Sequence, residues 1–350
     1  MFSLRYNRFL ILIIVILLIM TSLTGCGNKQ SSSPSQSSGN AAEFFKNKNL
    51  TFIVPYTAGG GFDAYARMLA PFIQKYIPGV TVVVKNVPGA GSIVGTNQVY
   101  LEKPDGLTIG IINVPGMVFS QVTESEGVKF DLGKFTWLAR VSSEPHILAM
   151  NSKCEYTSID ALKKAQKPVK ISFTGVGSDD YYGAIVLFKA LNVPLDLIAG
   201  YNGSHEASLA AVRGEVDGTQ ATLSTVESLL TSKDLIPILQ LSNEKVKELT
   251  GVPSAEDVVE GSNKDLVKAI TNIFTLDRCI VGPPDMPKDI AKILREALDK
   301  ALNDPEFVQT AQKAKRPVNP LKGEEIEPLI KDTMSQANGI KDILKEALKK

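Results

Sequence analysis

The chain has 350 residues, with 38 Lys and Arg against 37 Asp and Glu, interspersed to a net charge of +1. That balance, without any basic tract, excludes nucleic acid as a partner. Three cysteines and only two histidines, His146 and His205, show no zinc-ligand spacing, so neither a metal nor a cofactor is expected.

The first segment reads as an address. Arg5 and Arg8 precede an apolar run, Phe9–Met20, which is short for a membrane span and fits a signal-peptide core over residues 1–25. Leu23-Thr24-Gly25-Cys26 looks like a bacterial lipobox, in which Cys26 receives lipid and becomes the mature N-terminus. An uncleaved N-terminal anchor is the alternative. Lipid at Cys26 would tether the chain to a membrane without spanning it. Residues 26–40 form a Ser-rich leash with nothing to bury. The folded part then begins near Ala41. About 310 residues remain, more than one core usually serves, which suggests two domains.

From there, strand-like and helix-like segments alternate, the pattern of an α/β fold. Leu50–Pro55 reads as a strand, Ala64–Tyr76 as a helix and the β-branched Val80–Lys85 as a second strand. A helix over Gly95–Glu102, a turn at Pro104-Asp105-Gly106 and a strand over Leu107–Ile112 follow. Trp137–Val141 and Ile147–Met150 are further strands. Thr157 with Asp160 resembles a capping box opening a helix over Ile159–Ala165. Val169–Phe173 is a strand feeding a helix over Tyr181–Leu191. Leu195–Ile198, the helix His205–Arg213 stopped by Gly214, and the strands Gly218–Ala221 and Leu235–Leu241 come next. The apolar Thr271–Val281 reads as a strand crossing back. Pro287 opens an amphipathic helix, and a helix near Glu324–Asn338 and a tail helix end the chain.

Three glycine loops lie between strands and helices. The first, Tyr56-Thr57-Ala58-Gly59-Gly60-Gly61-Phe62-Asp63, brings bare backbone to a helix mouth, where N–H groups and the helix dipole favour an anion. The second, Thr174-Gly175-Val176-Gly177-Ser178, is similarly built, and both would lie beyond the carboxyl ends of strands. Neither contains Lys or Arg, so neutral dipoles and hydroxyls are expected to hold the anion. Asp63 reads either as the helix N-cap or as the acceptor for a ligand amine or hydroxyl. Asp179 and Asp180 carry the same two readings. The third loop, Asn86–Gly95, has Gly89, Gly91 and Gly95 spaced G-x-G-x-x-x-G. No strand-terminal acid follows about 20 residues later, so close helix–strand packing is preferred to a dinucleotide site. Ser178 and His205 lack a nucleophile elbow, so no catalytic residues are expected. Cys154 and Cys279 could pair, but semi-buried thiols are the preferred reading.

Taken together, Leu50–Pro55, GGGFDAYAR (Gly59–Arg67), VVVKNVPGAGSIVGTN (Val82–Asn97), KPDG (Lys103–Gly106), ISFTGVGS (Ile171–Ser178), Tyr201-x-Gly203, GEVDG (Gly214–Gly218) and VGPPDMP (Val281–Pro287) resemble the tripartite tricarboxylate transporter receptor family, or Bug-type solute-binding proteins. The similarity spans roughly residues 48–345. It implies a two-lobed, periplasmic-binding-protein-like (type II) fold that grips a carboxylate between lobes and delivers it to a membrane permease, without chemistry of its own. Its carry-over places ligand contacts on Tyr56–Asp63 and Thr174–Ser178, with Tyr181, Tyr201 and the segment after Asp217 also approaching the cleft and Asn113 and Pro115 as further candidates. Where many relatives have His and Leu after the second loop, this chain has Asp179-Asp180-Tyr181-Tyr182. The expected ligand is a tri- or dicarboxylate or, given that departure, an amino-acid-like acid whose amine meets Asp63, Asp179 and Asp180. The expected lobes are residues 41–136 with 276–350, and residues 137–275, in a monomer anchored outside the cytoplasm. An extracytoplasmic hydrolase or transferase using the same cleft is the competing class. A surface interaction module is the third.

Overall fold

The computed structural model describes residues 43–348, apart from 202, 244 and 245. The signal segment, Cys26 and the Ser-rich leash lie outside the described residues. Two sheets organise the fold.

The larger sheet begins with β1 (Asn49–Val54), β2 (Thr81–Asn86) and β3 (Thr108–Asn113). These pair in parallel, with β1 between the other two. β2 is an edge strand, and its residues alternate between exposed and half-buried. Helix α1 (Gly61–Tyr76) crosses from β1 to β2 and buries Tyr65, Ala66, Leu69, Phe72 and Ile73, one helical stripe. Helix α2 (Ile93–Leu101) and helix α3 (Val114–Val122) flank β3. β4 (Thr136–Ser142) then joins the same sheet. The expected lobe boundary between 136 and 137 therefore falls inside a strand of the larger sheet, and the chain changes sheet only through residues 143–145.

The smaller sheet takes β5 (His146–Asn151), β6 (Val169–Ser172), β7 (Leu195–Ile198), β8 (Gly218–Thr222) and β9 (Leu235–Leu241) in the order β7-β6-β8-β5-β9. Between these strands lie α4 (Ile159–Leu162), α5 (Asp179–Leu191), α6 (Ser204–Arg213) and α7 (Leu223–Thr231). Helix α8 (Ser262–Phe274) leads back to β10 (Arg278–Gly282), which runs antiparallel between β3 and β4. The expected single strand over Thr271–Val281 is thus a helix end and a strand. Its apolar residues face the core in both, which hid the break. Helices α9 (Lys288–Leu302), α10 (Pro305–Lys313), α11 (Gly323–Gly339) and α12 (Lys341–Leu348) complete the chain, with β11 (Leu321–Lys322) at the sheet edge.

Helices α3, α7 and α10 are additions to the sequence reading. Eight of the nine residues of α3 are buried, so it has no polar face and no legible period. The cap of α4 is Ser158, accepting from Ala161 N–H at 3.2 Å, rather than Thr157. Gly214 does stop α6, at φ 77°.

One apolar cluster joins the two sheets. It runs from Ile53 and Ile112 through α3, α5 and α8 to Leu148 and Ile171. Phe119 of α3 packs on Tyr182 of α5, with ring centroids 5.1 Å apart. At roughly 1.5–3 kcal/mol per fully buried large apolar side chain, this shared layer resists separation. Any opening must therefore occur on the loop side. Cys154 and Cys279 are free thiols, and the buried Cys279 donates to Leu276 O at 3.1 Å.

Candidate functional site

The first loop leaves β1 and enters α1 at Gly61. Gly59 sits at φ +87°, a conformation that favours glycine. The N-cap is Gly60, not Asp63, so the cap offers no side-chain acceptor to the first N–H groups. Asp63 lies in the first helical turn and faces back into the loop. It accepts from Gly59 N–H at 2.8 Å, Arg67 Nε at 2.9 Å and Asn86 Nδ2 at 2.9 Å. Burial pushes its carboxyl up, but these hydrogen bonds outweigh burial and hold it below the ordinary range. Asp63 is therefore a brace for the loop.

The second loop is braced in the same way. Ser178 caps α5, and Asp180 accepts from Thr174 N–H at 2.9 Å, Thr174 Oγ1 at 3.0 Å and Tyr181 N–H at 3.0 Å, with Ser178 Oγ also in contact. Burial, then the charge of Asp179, raises Asp180 to about 7. The polar groups of this loop are spent on its own shape. Its glycines serve close approach instead. A Cβ on Gly91 of the third loop would lie 2.4 Å from Ser178 N, and one on Gly177 3.0 Å from Ala90 O. Gly95 lets α2 pack against the end of β1, since its Cβ would meet Pro55 Cβ at 2.7 Å. Helix–strand packing is thus what the third loop's spacing encodes there.

A small cavity of about 30 Å³ lies between the sheets, lined from the first loop by Tyr56, Thr57, Gly60, Gly61 and Phe62. Gly203 and Ser204, at the N-terminus of α6, face it from the other side. The N-cap there is also glycine. Asp179, Asp180, Thr222 and Arg278 close the rest. Ala58, Gly59 and Asp63 do not line this cavity, and Gly175, Val176, Gly177, Ser178 and Tyr181 do not either. Thr174 and Tyr201 line a neighbouring cavity of about 250 Å³ that shares Tyr56. Val176 and Tyr181 line a groove on the smaller sheet's outer side. Asn113 is buried and bridges the two sheets, donating at 2.7 Å both to Tyr56 Oη and to Asp179 Oδ1.

Sequence reasoning missed the charged centre. Arg278, only 3% exposed, donates to Glu144 Oε1 at 2.8 Å and contacts Asp277. Its guanidinium stacks over Phe62, 4.9 Å from the ring centroid. Burial alone would lower Arg278, but Asp277, Glu144, Tyr65 and Asp179 raise it well above the ordinary value. Burial raises Asp277 to about 8, against the pull of Arg278. Arg316 adds a second cation. A Cβ on Gly61 would lie 3.5 Å from both Arg278 Nη2 and Arg316 Nη1. Two guanidiniums thus flank the mouth of α1, beside the dipoles and hydroxyls expected from the sequence. The available signal was Asp277-Arg278 set inside an apolar stretch.

Residues 65–346 match the model of the tripartite tricarboxylate transporter family receptor. The chain belongs to this family. Family members are solute-binding receptors rather than enzymes and act outside the cytoplasm, so the hydrolase or transferase alternative falls. Among curated relatives, the chain is 26% identical over 270 residues to a UPF0065 protein of the tcbD-tcbE intergenic region of Pseudomonas sp. (strain P51), covering 76% of this chain and 77% of that one. Among solved structures, the periplasmic binding protein BugD aligns with a TM-score of 0.71 at 23% identity, over 87% of this chain and 98% of that one. MatC of Rhodopseudomonas palustris with bound malate aligns with a TM-score of 0.71 at 19% identity, over 84% and 98%. These likenesses establish the two-lobed periplasmic-binding-protein fold for this receptor.

Proposed function

We propose that this receptor captures a small carboxylate between its lobes and delivers it to the permease of a tripartite transporter. The observation that carries the reading is the convergence of two glycine-capped helix N-termini, α1 and α6, with Arg278 on one cavity. The carboxylate head sits at Gly60 and Gly61, facing the guanidiniums. About 30 Å³ holds roughly one or two waters, so the loops must part for a ligand to enter. The two crossings, at residues 143–145 and at Thr275–Asp277, act as the hinge between a lobe built on the larger sheet and a lobe spanning the smaller one. Lipid on Cys26 tethers the receptor, as a monomer, to the outer face of the membrane.

The amine-bearing ligand has narrower support than its sequence rationale. Asp63 lies outside the cavity, and of the two acids that line it Asp180 braces its loop while Asp179 accepts from Asn113.

Native mass spectrometry of freshly purified protein tests the reading by identifying a co-purified acid, and calorimetry with malate and that acid follows. Gly60→Val is the companion variant. Gly60 has φ −76°, and a Cβ there meets only Thr57 O at 3.6 Å, so the fold tolerates the change. Loss of binding with an intact fold supports the loop grip, and unchanged affinity refutes it.

A further inference from the structure

The structure assigns a divalent-cation site to His146, Asp179 and Asp277. One donor atom from each lies within 4.8 Å of the others. His146 comes from β5, Asp179 from the first turn of α5, and Asp277 from the return segment just before β10. The site therefore joins the smaller sheet to the larger one across the hinge.

Three observations independent of the cluster itself support a cation there. His146 is 1% exposed, yet neither ring nitrogen makes an aligned hydrogen bond, and Nε2 lies 3.4 Å from Asp179 Oδ2. Asp277 Oδ1 is likewise buried and unpartnered. Such groups normally find partners, because a bare buried donor or acceptor keeps its full desolvation penalty. The imidazole is also held in place, stacked on Phe274 with centroids 4.0 Å apart and planes at 17°. Finally, Glu144, Asp179 and Asp277 surround a single guanidinium, Arg278. A divalent ion adds positive charge where three acidic side chains meet that guanidinium.

One imidazole nitrogen and two carboxylate oxygens suit Zn²⁺ or Mn²⁺. Of the three donors only Asp179 lines the cavity, so the ion sits behind the cavity wall. The cation site itself stands without the carboxylate reading, so each can fail alone.

The test uses purified full-length protein stripped with EDTA and titrated with ZnCl₂ and MnCl₂ by calorimetry. One ion per chain is expected, with affinity at least tenfold weaker in His146→Gln and in Asp277→Asn. Because the chain has only two histidines, the wild type also reports location by NMR. Mn²⁺ should broaden the His146 imidazole signal far more strongly than that of the exposed His205. Absence of saturable binding, wild-type affinity in both variants, or equal effects on the two histidines overturns the assignment. Should a variant misfold by circular dichroism, the wild-type NMR result decides. Malate binding that persists in the stripped protein leaves the carboxylate reading standing, whatever becomes of the metal.

Discussion

Gly91→Ala tests whether the third loop and the second loop set the closed state. Gly91 has φ +58°, where an L side chain costs roughly 1–2 kcal/mol. Its Cβ would also stand 2.4 Å from Ser178 N, 2.7 Å from Gly177 C and 2.7 Å from Val176 O. All three are backbone atoms and cannot rotate away, so the loops must separate by about 1 Å to reach ordinary contact. Overpacking of this kind costs roughly 1–3 kcal/mol, which disfavours the closed state by about 5–150-fold. Gly59→Ala is the control, because Gly59 has φ +87° with nothing within 4 Å of its Cβ. Both variants should melt a few degrees below wild type from backbone strain alone. Only Gly91→Ala should enlarge the radius of gyration in small-angle X-ray scattering and weaken ligand binding. A wild-type scattering profile for Gly91→Ala would refute the claim that these loops meet on closure.

Arg278→Met leaves Glu144 and Asp277 buried without their guanidinium and should cost about 3–5 kcal/mol by thermal unfolding, with part regained in Arg278→Met/Glu144→Gln. Asp63 is held below its unfolded value of 3.8, so its contribution is complete above that value and is lost as pH falls through the lower folded pKa. Melting curves from about pH 6 down to pH 3 should show wild type losing more stability than Asp63→Asn, and parallel curves would contradict the bracing role. Ser178→Ala removes the cap of α5 and should cost about 1 kcal/mol in denaturant unfolding, with the slope unchanged.

The first loop was legible because its parts are contiguous. Strand, glycines and helix fall within Asn49–Tyr76, and the composition of each segment states its conformation. The second loop has the same composition, yet Asp180 turns its donors inward, and no local pattern separates a loop that binds from a loop that braces. The charged centre was illegible for a different reason. The segment Glu144–His146, Asp179 and Arg278 lie far apart in sequence and meet only because β10 inserts beside β4 while α5 caps the smaller sheet. Long-range pairing carries no sequence period, so a single Arg in an apolar run is the whole signal.

The position of β10 also has a consequence for how the chain folds. Every strand of the smaller sheet lies between His146 and Leu241, so that sheet can assemble from one contiguous stretch. The larger sheet cannot. Its middle strand, Arg278–Gly282, arrives after the whole smaller sheet, and until then β3 and β4 have no neighbour on their facing edges. Pairing at such sequence separation forms slowly. During export, the edges of β3 and β4 stay open to wrong partners until nearly the entire chain has emerged. Arg278, which lines the cavity proposed to hold the carboxylate, stands on that late strand, so a chain folded only through the smaller sheet also lacks its guanidinium there.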